Sequence, residues 1–205
     1  MIRLIVDRDE VDALYQQIAP ELRLAISDSG DPSRHPSRIV LRRSLIRLIV
    51  ELGQSGRLPI PSSAIDSSLE EARFDAIWRT QILERTWQRL EALEIQTGQP
   101  LHLVLHQRAE APGLSFAELA DRIAQALNRP ISVEATRKLL RRASSEFSRM
   151  LLEEVIATLP SGSPFETIER ELIETNLLAF CREAIGGLRN ASQSGRSPRV
   201  RRRSS

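Results

Sequence analysis

Cysteine occurs once in this chain, at Cys181. That excludes an internal disulfide framework and a multi-cysteine zinc site. In its apolar context Cys181 reads as a small buried side chain. Histidine occurs three times. There is no phosphate-binding glycine loop, no Gly-x-Ser-x-Gly segment and no Ser/His/Asp set on credible elements. The carboxylates are scattered over helix surfaces, so nothing assembles for acid–base work, and neither an enzyme nor a cofactor is expected. Aromatic residues make up 4% of the chain, so leucine, isoleucine, valine and alanine must supply the core. Alternating β-branched runs are almost missing, which predicts an all-α fold with at most a short strand at residues 2–6. No apolar run approaches membrane-spanning length. The opening Met-Ile-Arg-Leu-Ile-Val is too short for a signal peptide and runs at once into Asp-Arg-Asp-Glu. A cytoplasmic protein with no membrane partner is the expectation.

Charge is unevenly placed. The whole chain carries +2, yet six arginines (Arg189, Arg196, Arg199, Arg201, Arg202 and Arg203) lie in residues 189–205, which hold no acid. Taking away those six charges leaves residues 1–188 at −4. Any nucleic-acid surface on the body must therefore be a local patch.

Hydrophobic periodicity predicts a series of helices. Residues 9–26 carry Val11, Leu14, Tyr15, Ile18 and Leu22 at helical spacing, with Pro20 as a kink or end. Residues 38–52 form an amphipathic helix whose basic side holds Arg38, Arg42, Arg43 and Arg47; a core helix with an arginine-rich rim suits it better than a binding surface. Residues 53–69, rich in glycine, proline and serine, read as a linker between domains. Residues 70–96 give the longest helix, with Phe74, Ile77, Trp78, Ile82, Trp87, Leu90 and Leu93 as its stripe and both tryptophans expected in the core. Gly98 and Pro100 end it. A short helix with Leu101, Val104, Leu105 and Ala109 follows. On it His102 and His106 stand four residues apart, the spacing of a metal clamp, but no third ligand lies nearby and no metal site is expected.

The most informative stretch is residues 114–150. Ser115 followed by Glu118 is a capping box, so a helix starts there. Phe116, Leu119, Ala120, Ile123 and Leu127 fall on one face. The Asn128-Arg129-Pro130 break ends that helix, and Ser132 caps the next. On the second helix Val133, Thr136, Leu139, Leu140, Ala143 and Phe147 form the apolar stripe, with Leu119 and Leu139 facing the seam. Arg137, Lys138, Arg141, Arg142 and Arg149 point elsewhere. Two short helices across a tight break, the second carrying cations on its free face, are the grammar of a helix-turn-helix that reads the major groove. The same pattern also suits a solvated face in an arginine-rich protein.

After Met150 the second helix runs on through Val155 and stops before Pro160. Ser163, Pro164 and Glu166 open another helical segment as cap, first-turn proline and capping-box acid. Ile168, Leu172, Leu177, Leu178, Phe180 and Ile185 pack a helix or helix pair, which Gly186-Gly187 ends. Residues 190–205 are serine, glycine and arginine, a composition that stays disordered.

At the motif the chain resembles region 4 of sigma-70 family RNA polymerase sigma factors. The resemblance is carried by Val104-Leu105-His106-Gln107-Arg108, by Gly113-Leu114-Ser115-Phe116-Ala117-Glu118-Leu119-Ala120 and by Thr136-Arg137-Lys138-Leu139-Leu140-Arg141-Arg142-Ala143. Further back, Asp12-Ala13-Leu14-Tyr15-Gln16-Gln17 looks like the clamp-docking helix of region 2, and residues 38–51 look like the helix after it. The best likeness is to a divergent, extracytoplasmic-function group, over about two-thirds of the chain. It implies a region-2-like segment at residues 1–52, the linker at 53–69 and a region-4-like helix-turn-helix domain at 70–189, followed by the tail at 190–205. The implied partners are double-stranded promoter DNA, core RNA polymerase and an anti-sigma or regulatory protein. Arg137, Lys138 and Arg141 would contact bases or phosphates, with Arg142 and Arg149 anchoring the backbone. Two features depart from the family. Residues 124–131 replace its usual glycine-containing turn. The aromatics that the family uses to trap flipped promoter bases have no counterpart between Ile39 and Ser68, and a melted promoter needs such stacking surfaces. The alternative expectation is thus a sigma-derived regulator that binds DNA, polymerase or a sigma partner without melting a promoter.

The arginine-rich tail should add sequence-blind affinity for nucleic acid, because each phosphate contact releases counterions. Deleting residues 190–205 should weaken binding to any duplex and flatten its salt dependence, leaving the thermal midpoint and sequence preference unchanged. Filter-binding titrations at several salt concentrations check this; loss of preference along with the tail would make the tail a reader.

Overall fold

The computed structural model describes residues 38–54 and 66–193, together with the single residue Pro20. The expected strand at 2–6, the helix at 9–26 and most of the linker at 53–69 lie outside the described residues, as does the tail beyond Gln193. Within them the chain is all-helical, with seven helices and no strand. These are α1 (Arg38–Gln54), α2 (Ser67–Thr97), α3 (Leu101–Glu110), α4 (Phe116–Leu127), α5 (Val133–Ala157), α6 (Phe165–Glu174) and α7 (Leu178–Gln193). Among the described residues no helix is long and apolar enough to cross a membrane. The chain forms two compact units, Met1–Trp78 with Ala157–Gly162, and Arg79–Ile156 with Ser163–Ser205.

In the first unit, Asp66 opens α2 by accepting the Ser68 N–H at 2.9 Å. Arginine on α1 is committed to α2. The Arg38 Nη1 donates to Asp75 Oδ1 at 2.6 Å, and Arg42 Nη1 donates to Asp75 Oδ2 at 2.9 Å. Arg38 is buried, so it is part of the interior and not of a solvated rim, whereas Arg43 and Arg47 remain exposed. A guanidinium can be buried where a carboxylate satisfies it. Phe74 and Trp78 stack with ring centroids 6.0 Å apart.

In the second unit the fully buried side chains are Leu90, Leu101, Val104, Leu119, Ile123, Ala143, Leu151, Leu172, Leu177 and Cys181, with one threonine pair, Thr86 and Thr136. This is the aliphatic core that the scarcity of aromatics demands. Trp87 is half-buried and packs on Phe147 at 4.7 Å, which joins α2 to α5. The two tryptophans do not share a stripe as expected. Nine residues at about 100° each bring them to opposite sides of α2. Arg89 reinforces the α2–α5 contact by donating to Glu154 at 2.8 Å and to Glu153 at 2.6 Å. Gly98, at φ +66, ends α2 in a left-handed conformation. The start of α3 has no cap of its own; the Glu94 carboxylate accepts the Leu103 N–H at 2.9 Å instead.

Several expected core positions differ. Ile77 is 65% exposed because the buried line of α2 runs through Ile82, Thr86 and Leu90 and leaves it aside. Val133 is exposed, as are its neighbours Ser132 and Glu134, and the buried face of α5 begins at Thr136. Leu139 is only half-buried, whereas Thr136, Ala143 and Phe147 are buried. Phe180 is 52% exposed. At α6 the residue in the capping position is Pro164, not Ser163, and no side chain caps it. Finally, Gly186-Gly187 does not end α7, which continues to Gln193. Two glycines cost about 2 kcal/mol of helix propensity, but Arg189 ties the last turns to α6. It donates to Glu169 at 2.6 Å and lies 5.4 Å from the Phe165 ring. Arg189 thus belongs to the folded body and not to the tail.

Burial predicts a graded response in this core. Leu119→Ala should destabilise by about 2–5 kcal/mol, as emptied core sites do. Leu139→Ala should cost less than half as much, because its side chain is already partly in water. Urea denaturation of the two variants checks the ranking; equal losses would place Leu139 in the seam after all.

Candidate nucleic-acid interface

The interface is built on two capped helices. At the head of α4, Ser115 N–H donates to Glu118 Oε2 at 2.8 Å, and Glu118 N–H donates to Ser115 Oγ at 3.3 Å, which completes the capping box. At its foot Asn128 takes a left-handed conformation at φ 50, and the Arg129 N–H reaches back to Ala124 C=O at 3.1 Å. Asparagine tolerates this conformation better than most residues with a side chain. It does the work of the glycine missing from the turn. Residues 124–127 are helical, so the break is shorter than expected. Ser132 then caps α5, accepting the Ala135 N–H at 3.1 Å.

The first half of α5 presents four exposed cations in two rows. Arg137 and Arg141 line one cleft of about 440 Å³ together with Phe116, Glu134 and Leu140. Lys138 and Arg142 line a second groove of about 480 Å³ with Arg129 and Leu139. Spacing of four residues within each row and one between rows puts the rows on adjacent flanks of the helix. Lys138 is paired with Glu134 at 3.2 Å, although both are largely in water. Among the described residues Arg141 and Arg142 have no ion-pair partner. Arg137 Cζ sits 4.8 Å from the centre of the Phe116 ring.

Arg149 is not brought to this patch. It stands about two turns further along, bonded to Glu146 at 2.8 Å and bridged to Glu153. The hydrogen bond to Glu146, helped by the charge of Glu153, holds its guanidinium above the ordinary arginine range. Two carboxylates offset its single charge, which makes it a poor match for a phosphate.

Sequence reasoning includes Arg108 in the resemblance but gives it no role. Its Nη1 donates to Leu114 C=O at 2.7 Å and to Pro112 C=O at 3.1 Å, and its Cζ lies 5.0 Å from the Phe116 ring. The clue was an arginine just ahead of a Pro-Gly turn, whose carbonyls need donors. His102 and His106 both pack edge-on against Trp87, with centroids 5.7 and 5.8 Å away. Among the described residues no three metal-ligating side chains come together. Cys181 is buried, and desolvation pushes its thiol up to about 12, which leaves it unreactive.

The capping box generates a pH prediction. Hydrogen bonds from the Ser115 side chain and N–H hold the Glu118 carboxyl below its ordinary value of 4.5. A lowered folded-state value means that this contribution is present above 4.5 and is lost as pH falls through the lowered value. The difference in thermal midpoint between wild type and Glu118→Gln should be largest near neutral pH and shrink in acid. A difference independent of pH would remove the charged cap.

The chain matches no protein-family model, no curated protein and no solved structure.

Proposed function

We propose that this chain is a sigma-like transcription initiation factor, which binds core RNA polymerase and places the first half of α5 in the major groove of promoter DNA. The observation that carries the reading is the pair of cationic rows, Arg137 with Arg141 and Lys138 with Arg142, on a helix whose neighbour is fixed by a complete capping box. A helix fits the major groove, where arginine reads guanine edges and the remaining cations hold phosphates. The region 4 resemblance at residues 104–143 supplies the polymerase partner. In this reading the chain has no catalytic residues and no cofactor, and acts in the cytoplasm by recruitment.

A second reading is favoured by a specific observation. No aromatic residue lies between Ile39 and Ser68, where the family places its base-trapping side chains. Arg38 and Arg42, on the helix that resembles part of region 2, are held by Asp75. The chain would then be a sigma-derived regulator that binds duplex DNA, polymerase or a sigma partner without opening a promoter. Co-purification with core polymerase, followed by permanganate probing for unpaired thymines, separates the readings. Capture with opened thymines supports the initiation factor. Capture without opening supports the regulator. Absence of polymerase capture, of duplex binding and of sigma-factor capture together refutes both.

The two rows predict distinct mutational signatures. Arg137→Ala should cost about 1–3 kcal/mol on a selected site and relax discrimination at one position. Arg141→Ala with Arg142→Ala should weaken all duplexes and reduce the salt slope by about two, one per lost phosphate contact. Arg149→Ala should leave binding almost unaltered and instead lower stability by about 0.2–1 kcal/mol, the scale of an exposed ion pair. Titrations on selected and scrambled duplexes, with thermal melts alongside, check all three.

A further inference from the structure

Of the four cations on the first half of α5, Arg137 is held in a way the others are not. Lys138 spends its charge on Glu134, and among the described residues Arg141 and Arg142 contact no carboxylate or ring. Arg137 is placed over the Phe116 ring at 4.8 Å and has no ion-pair partner among the described residues. A cation–π contact engages the charge and the flat face of a guanidinium and leaves its N–H donors for another acceptor. A carboxylate would occupy those donors and cancel the charge. The ring has a second guanidinium beside it. It begins α4 immediately after the Ser115 cap, and Arg108, bound to the carbonyls of Pro112 and Leu114, lies 5.0 Å from it. Arg108 has its donors in use on the loop, whereas Arg137 has its donors to spare.

From this we infer that Phe116 is a positioning residue for sequence readout. Its ring pre-orders Arg137 over the cleft shared with Glu134 and Arg141, so that the guanidinium meets a base edge with little side-chain freedom left to lose. The partner chemistry is that of a planar acceptor pair such as a guanine edge in a duplex, which matches the fork of an arginine. The inference rests on the duplex-binding reading and adds to it the reason why Arg137, and not its neighbours, discriminates. An arginine side chain carries large rotamer entropy, and restricting it before binding reduces what binding must overcome.

The test uses the full chain as wild type, Phe116→Leu, Phe116→Tyr, Arg137→Ala and the Phe116→Leu/Arg137→Ala double variant. The first measurement needs no DNA. Side-chain protons of Arg137 should show an upfield ring-current shift by NMR in wild type and Phe116→Tyr and lose it in Phe116→Leu. The second is the ratio of affinities for a duplex selected by the wild type from a randomised pool and for a scrambled duplex. Phe116→Leu should lower that ratio about two- to fivefold, the range of an exposed cation–π contact, and Phe116→Tyr should retain it. In the Arg137→Ala background, Phe116→Leu should have no further effect on the ratio. An equal loss with and without Arg137 would overturn the inference, because the ring would then act through the fold. So would an unshifted Arg137 in a wild type that still prefers one duplex, with the duplex-binding reading left standing. A wild type with no preference for any duplex would remove that reading and the inference together.

Discussion

The second unit depends on one helix doing two jobs. The later half of α5 turns one face inward: Phe147, Met150, Leu151, Leu152 and Val155 are all buried. Its earlier half carries Arg137, Lys138, Arg141 and Arg142 in water. Because the helix is continuous over 25 residues, the packing of the first group fixes the direction in which the second group points. Side chains on a rigid element placed by a core are held more accurately than side chains on a loop. The contact of Trp87 with Phe147 and the two hydrogen bonds that Arg89 donates, one to Glu153 and one to Glu154, anchor the later half to α2. The cationic rows inherit their placement from those contacts.

The chain also shows how an arginine-rich protein sorts its positive charge. Arg38 and Arg42 are absorbed by Asp75, Arg89 by two glutamates on α5, and Arg149 by Glu146 and Glu153. Arg189 is absorbed by Glu169 and the Phe165 ring. In each case an acidic or aromatic neighbour makes the cation part of the scaffold. On the first half of α5, Arg141 and Arg142 have no ion-pair partner among the described residues, and Arg137 meets a ring but no carboxylate. The body's net acidity therefore does not prevent a local basic patch on the first half of α5. Charge balance over the whole chain carries little information about such a surface, because recognition depends on local potential within roughly a Debye length of 8–10 Å.

Aromatic residues are few, and several of them take on a defined mechanical task. Trp87 fills the junction of α2 and α5 and receives both histidines of α3. Phe116 collects two guanidinium groups. Phe165 receives a third, from Arg189. A ring in these places contributes both apolar area and a surface for cations, which an aliphatic side chain cannot provide. That explains why the low aromatic content coexists with a well-filled core: leucine and isoleucine pack the interior, and the rings are left for joints and cation seats.

Local chemistry made much of the architecture legible in the sequence. The Ser115/Glu118 box, the Asn128–Pro130 break, the Ser132 cap and the Gly98/Pro100 stop are short-range devices whose hydrogen bonds close within a few residues, so spacing alone reveals them. The aliphatic, all-helical fold followed from composition and periodicity for the same reason. What the sequence could not decide were matters of long range. Whether Arg149 is free or neutralised depends on which rotamers meet Glu146 and Glu153, and whether Arg38 lines a rim or an interior depends on Asp75, 37 residues away. Periodicity identifies a helix face but not how far its partner extends, and Val133, Ile77 and Phe180 keep helical spacing with the apolar stripes yet are exposed. The glycine pair in α7 shows the same limit, since intrinsic propensity ends the helix there and a tertiary tie from Arg189 to α6 continues it. The seating of Arg137 on Phe116, across 21 positions and a helix break, was likewise decided only in three dimensions, because a cation–π contact has no sequence period to announce it.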